Sequence, residues 1–165
     1  MSSIILTESQ YNRLGKSLLE MTMRSYIFDW DDNILYMPTT IKMDKKVNGE
    51  WEPIDLSTEE FSQFRENPKY RLRDNNPSKA FKDFTESKPF IDDTKKAIHN
   101  GMFAPSSDKF KEALIHANTF AINTARGHEP KIIKEGVKLF IDMVFTDEEK
   151  SEMLVNVREI LNKTK

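Results

Sequence analysis

The chain has 165 residues and a mass of 19.3 kDa, the size of one ordinary domain, which excludes a large multidomain enzyme. Apolar residues make up 38% against roughly 45–50% in typical globular chains, and charged residues 32%, so a thin core is expected. Twenty-five Lys and Arg against 27 Asp and Glu give a net charge of −2, no field that would draw nucleic acid or anionic lipid, and the absence of cysteine removes disulfides and thiolate metal sites.

A reducing compartment is the default for such a chain. The start MSSIILTESQ lacks a basic leader, and nowhere does a membrane-length run of apolar residues occur. The expectation is a soluble, unexported, cytoplasmic protein.

Thr7 with Gln10 forms a capping box, and Tyr11, Leu14, Leu18 and Met21 recur at helical spacing, predicting an amphipathic helix through Met23. Gly15-Lys16-Ser17 has the ending of a phosphate-binding loop, but Gln10 stands where the first glycine belongs and the pattern is mid-helix, so that reading is rejected. Residues 24–29 (RSYIFD) read as a short buried strand delivering acidic residues at its C-terminal end.

From Thr39, β-forming residues flank Asn48-Gly49, the strongest short hairpin signal, and predict a projecting hairpin whose Lys42, Lys45 and Lys46 guard a solvated edge. Ser57 with Glu60 opens a helix that Pro68 stops. Residues 67–90 carry three Pro and much charge, predicting an excursion outside the core, after which Asp92-Asp93 begins a short helix. Ser106-Ser107 opens a helix carrying Phe110, Ala113, Leu114 and Ala117, and a strand at 120–122 then leads into Asn123-Thr124-Ala125-Arg126-Gly127. Pro130 starts a helix with Ile133, Val137, Phe140 and Ile141; Thr146 with Glu149 caps the last one. His99, His116 and His128 lack metal-face spacing and are assigned surface or capping roles.

Two strand ends carry the chemistry: IFDWDDN at 27–33 and FAINTARG at 120–127. Ligands of open α/β sheets bind at the carboxyl ends of strands, where Asp29, Asp31 and Thr124 can share one mouth. Two carboxylates so close raise each other's pKa unless a cation relieves them, and a hard ion with oxygen ligands, Mg²⁺, suits the pair.

Phe28-Asp29-Trp30-Asp31-Asp32-Asn33-Ile34 resembles the first motif of the haloacid dehalogenase-like phosphohydrolase superfamily, and Phe120-Ala121-Ile122-Asn123-Thr124 resembles its second. The hairpin falls where that family carries its flap, and the following residues where it inserts a cap. The resemblance implies a Rossmannoid parallel sheet with helices on both faces. Residues 1–38 and 106–165 would form the α/β core, and 39–105 the flap and cap insertion. It implies Asp29 as nucleophile, forming a phosphoaspartyl intermediate, and Asp31 as general acid and then base. Thr124 and the backbone N–H of Ala125 would hold a phosphoryl oxygen, with Arg126 at phosphate or on the surface. Mg²⁺ would be held by Asp29 and the Asp31 carbonyl, and the substrate would be a phosphorylated small molecule or nucleotide.

The pattern departs from the family in two places. Asp32-Asn33 replaces the common Gly-Thr, and the 41 residues after Thr124 read as two helices without the third-motif lysine or fourth-motif acidic pair. Lys131 and Lys134 are candidate substitutes for the lysine, and Asp147-Glu148-Glu149 reads as helix capping. The sheet is therefore expected to be incomplete. The alternatives are a non-catalytic structural or interaction protein whose sheet edge is covered by a partner chain or second copy, and a chain cut short of its catalytic remainder.

Overall fold

The computed structural model describes residues 25–163, so the expected N-terminal helix and Gly15-Lys16-Ser17 lie outside the described residues. Among the described residues the architecture is mixed α/β, with a small parallel sheet, a separate antiparallel sheet and six α-helices. Strands β1 (Ser25–Phe28) and β5 (Thr119–Ile122) pair in parallel, Ser25 opposite Thr119 and Phe28 opposite Ile122. Side chains alternate across a strand, and here Phe28 turns inward while Ile27 remains 77% exposed. Among the described residues the parallel pair is thus covered on one face.

Three helices supply that cover: α3 (Ser87–His99), α4 (Ser107–Ile115) and α5 (Pro130–Val144). Their apolar stripes meet β1 and β5 in one core containing Phe28, Trp30, Phe90, Phe110 and Phe140. Phe110 is its hub, with edge-on ring contacts to Phe28 at 5.1 Å, Phe140 at 5.2 Å and Phe120 at 5.5 Å. Such aromatic pairs add to burial, which lets a chain with few apolar residues build a dense centre.

The residues between the two parallel strands fold around a second, smaller core. Strands β2 (Ile41–Val47) and β3 (Glu50–Leu56) form the predicted hairpin, turning through Asn48 at φ 51° and Gly49 at φ 94°. Left-handed backbone at both central positions is what Asn-Gly supplies with little strain. Helix α1 (Thr58–Phe64) carries the full Ser57–Glu60 capping box. Ile41, Met43, Leu56 and Ala80 are buried there, Ala80 from the short helix α2 (Pro77–Ala80).

Three expectations are corrected in this region. Strand β4 (Tyr70–Leu72) pairs with the free side of β2, making the order β3-β2-β4, so the lysines of β2 lie on a central strand. Lys42 pairs with Asp55 at 2.8 Å and Asp83 at 3.2 Å, while Lys45 and Lys46 sit over the Tyr70 and Trp51 rings. The excursion does reach the core, because Phe90 is fully buried against Trp30. Asp92 and Asp93 lie in the middle of α3, whose first turn is Ser87-Lys88-Pro89, a place that tolerates Pro because no intrahelical N–H is lost there.

The last helix, α6 (Asp147–Lys163), starts at the expected cap: Thr146 and Glu149 exchange bonds of 2.9 and 3.2 Å. Lys111 of α4 reaches Glu149 at 2.8 Å and, with the Thr146 N–H, holds its carboxyl below the usual glutamate range. A carboxylate lowered in the folded state contributes stability above its unfolded pKa, and that contribution disappears as pH falls through the folded value. Thermal melts of Glu149→Gln should therefore lie below wild type at neutral pH and coincide with it in strong acid. Among the described residues no helix is long and apolar enough to cross a membrane.

Candidate functional site

The two strand ends are locked side by side. The Asn123 N–H donates to the Phe28 carbonyl at 2.9 Å, so Asp29 and Asn123 leave the sheet together. The chain then plunges inward at Trp30, which has no exposed surface, and turns back: the Trp30 carbonyl accepts from Leu35 at 3.1 Å, and the Leu35 carbonyl from Asp32 at 2.9 Å. Burying Trp30 leaves Asp29 exposed and Asp31 half-buried on either side of it. The Trp30 N–H donates to Asp29 Oδ1 at 2.7 Å, fixing that carboxylate at the start of the turn.

The Asp32-Asn33 departure has a local account. Asp32 adopts φ 57°, left-handed backbone that Gly enters freely and Asp more readily than most residues. The Asn33 side-chain amide donates to Ser106 Oγ at 2.9 Å, and the Asn33 backbone carbonyl accepts the Ser106 N–H at 2.8 Å, tying the acidic loop to the segment that enters α4. Desolvation first, and then the Asp31 charge, hold the Asp32 carboxyl above its usual range despite a bond from Thr58.

Arg126 is the centre of the site. Its side chain is 1% exposed, and its Nε and Nη2 donate to the two Asp31 oxygens at 2.7 and 2.6 Å. Nη2 also donates to Thr39 Oγ1 at 2.7 Å, and Thr39 donates onward to Asp93 Oδ2 at 2.6 Å. The guanidinium lies 4.9 Å from the Phe84 ring centre and 5.3 Å from that of Phe90. Arg126 is therefore no surface residue, and the fork expected to reach phosphate is engaged by Asp31. A carboxylate offers about four lone-pair sites, so Asp31 retains acceptor capacity after both bonds.

Thr124 is half-buried and Ala125 exposed; the Thr124 hydroxyl accepts from the Arg126 N–H at 3.3 Å. A cavity of about 550 Å³ opens beside them, bounded by Thr124, Arg126, His128 and Lys134 with Ile133 and Val137 as its apolar wall. Of the two candidate lysines, Lys134 borders this cavity, whereas Lys131 pairs with Glu129 at 2.7 Å. His128 departs from the expected surface role. It is half-buried, its ring centre 4.9 Å from that of Phe90, and Nε2 lies 2.9 Å from the Glu86 carbonyl, which requires the proton on that nitrogen.

Asp29, Asp31 and Asp32 place three carboxylates on one turn, and Arg126 offsets one of them. Mg²⁺ commonly takes one or two protein oxygens and completes its shell with water and phosphate. The exposed Asp29 carboxylate and the Asp31 carbonyl could serve as those oxygens, but the Asp31 side chain is engaged by Arg126. Among the described residues no group of three or more His, Cys, Asp or Glu is arranged to hold a metal.

Thr39 and Asp93 are the site residues that sequence reasoning missed. They lie 87 and 33 positions from Arg126, and no local motif marks either one. Comparison with protein-family models, curated proteins and solved structures finds no match.

Proposed function

We propose that the chain is a Mg²⁺-dependent phosphohydrolase of the haloacid dehalogenase-like type, acting on a phosphomonoester. The observation that carries this reading is the parallel register of β1 and β5, with Phe28 opposite Ile122, which brings an Asp-x-Asp turn and a Thr-bearing loop to one sheet end. The flap hairpin and cap of that family correspond here to residues 39–105.

In this reading an Asp29 oxygen attacks phosphorus and the P–O ester bond breaks, and the departing oxygen takes a proton that Asp31 first accepts from solvent on a lone pair left free by Arg126. Thr124 Oγ and the Ala125 N–H bind a non-bridging oxygen of the transferred group. Asp31 then takes a proton from water, whose oxygen attacks phosphorus and releases inorganic phosphate and the Asp29 carboxylate. Bound Mg²⁺ would supply neutralisation of the incoming phosphate charge.

The test is phosphate release from p-nitrophenyl phosphate with and without Mg²⁺. Asp29→Asn should lower the rate by at least about a thousand-fold, as expected when a nucleophile is removed. Its Tm should stay close to wild type, because Asn retains an acceptor for the Trp30 N–H. Folded wild type without Mg²⁺-dependent release would overturn the reading.

One observation favours a second reading, a non-catalytic interaction protein. Among the described residues the parallel pair carries no further strand on either outer edge, and Ile27 stands 77% exposed on it. Such edges and apolar faces invite a partner chain or second copy. Sedimentation would then find an assembly that Asp29→Asn leaves intact.

A further inference from the structure

We propose that Thr39 and Asp93 are positioning residues that act through Arg126 to fix the Asp31 carboxylate; the inference rests on the phosphohydrolase reading for its kinetic consequence. Four short bonds form one continuous relay. Asp93 Oδ2 accepts from Thr39 Oγ1 at 2.6 Å, Thr39 Oγ1 accepts from Arg126 Nη2 at 2.7 Å, and Arg126 clasps Asp31 at 2.6 and 2.7 Å.

The polarity of the relay is set by its chemistry. A threonine hydroxyl has one proton, and an ionised carboxylate can only accept, so the proton points to Asp93 and a lone pair points to Arg126. Charge alternates along the relay, from Asp93 to Arg126 to Asp31, and such charge-assisted bonds are the strong ones.

The guanidinium needs this orientation. The Phe84 and Phe90 rings contact it, but rings do not fix its rotation within its own plane. Its Nη1 is buried without a hydrogen-bond partner, so Nε and Nη2 carry all the side-chain bonds that hold the guanidinium. Thr39, 4% exposed, provides that hold from outside the Asp31 pair. Thr39 lies just before β2, and Asp93 lies on α3, so two distant parts of the segment between the parallel strands meet at Arg126.

The experiment compares Thr39→Val, Thr39→Ser and Asp93→Leu with wild type. It uses steady-state hydrolysis of p-nitrophenyl phosphate, competition by inorganic phosphate, and solvent exchange of the Arg126 Nε–H in ¹H–¹⁵N spectra. Thr39→Val should lower kcat roughly 10–100-fold, the range for lost supporting bonds behind a functional group, with KM and phosphate inhibition within about twofold. Thr39→Ser should recover most of kcat, and the Arg126 Nε–H should exchange faster in Thr39→Val than in wild type or Thr39→Ser. Asp93→Leu should match Thr39→Val and replaces it if that variant does not fold.

Wild-type kcat in folded Thr39→Val, or a loss that Thr39→Ser fails to rescue, would overturn the relay. If folded wild type releases no phosphate, the phosphohydrolase reading falls by itself, and the relay is judged by the exchange data. Unchanged Arg126 Nε–H exchange in Thr39→Val then overturns it, and faster exchange restored by Thr39→Ser upholds it.

Discussion

Replacing Arg126 with Met is expected to destabilise the fold by about 3–5 kcal/mol, the effect of removing one partner from a buried ion pair. The loss comes from what the change leaves behind more than from the bonds it removes. Asp31, with its side chain 19% exposed, would keep a carboxylate with neither of its guanidinium bonds, and the Thr39 hydroxyl would lose its cationic donor. Met retains much of the apolar contact with Phe84 and Phe90, so the loss reports the polar interactions. Arg126→Lys preserves the charge but cannot present two parallel N–H groups to Asp31, and should fall between wild type and Met.

Urea unfolding of the Arg126→Met, Asp31→Asn and double variants measures the coupling directly. If the pair works as a unit, the double variant will be much less destabilised than the sum of the single changes, because Asn leaves no buried charge behind. Additive losses would mean that Arg126 stabilises the fold independently of Asp31, through its Thr39 bond and ring contacts.

That centre shows where sequence reasoning reached and where it stopped. The DxD turn, the Thr-bearing loop, the Asn-Gly hairpin and the Ser57 and Thr146 caps are local signals. Each depends on residues within a few positions of one another, and each has its counterpart in the structure. The Asp31–Arg126 pair spans 95 positions, and Thr39–Asp93 spans 54. No spacing rule connects such residues; only the parallel pairing of β1 with β5 and the packing of α3 against the core bring them together. β4 escaped for a related reason. Three residues carry too little alternation to read as a strand, and their pairing is set by β2, which offers a free edge.

Phe90 makes the dependence on long-range packing testable. Its ring is fully buried, 5.4 Å from Trp30, 4.9 Å from His128 and 5.3 Å from the Arg126 guanidinium, so one side chain joins the aromatic core to the polar site. Phe90→Ala should cost about 3–5 kcal/mol by opening a cavity there. The opposite wall constrains what can fill it. A Cβ added at Gly136 of α5 would lie 2.9 Å from two Phe90 ring carbons and 3.0 Å from Trp30 Cζ2, closer than packed atoms tolerate. Gly136→Ala alone should therefore lose about 1–3 kcal/mol to overpacking, despite the roughly 1 kcal/mol that Ala gains over Gly in a helix. In Phe90→Leu that ring is gone and Trp30 Cζ2, the remaining close atom, can move into the space it leaves, so Gly136→Ala can contribute its helical preference. The double variant should then be more stable in urea than Phe90→Leu alone. If Gly136→Ala destabilises both backgrounds equally, the Phe90 ring is not what excludes a side chain at position 136.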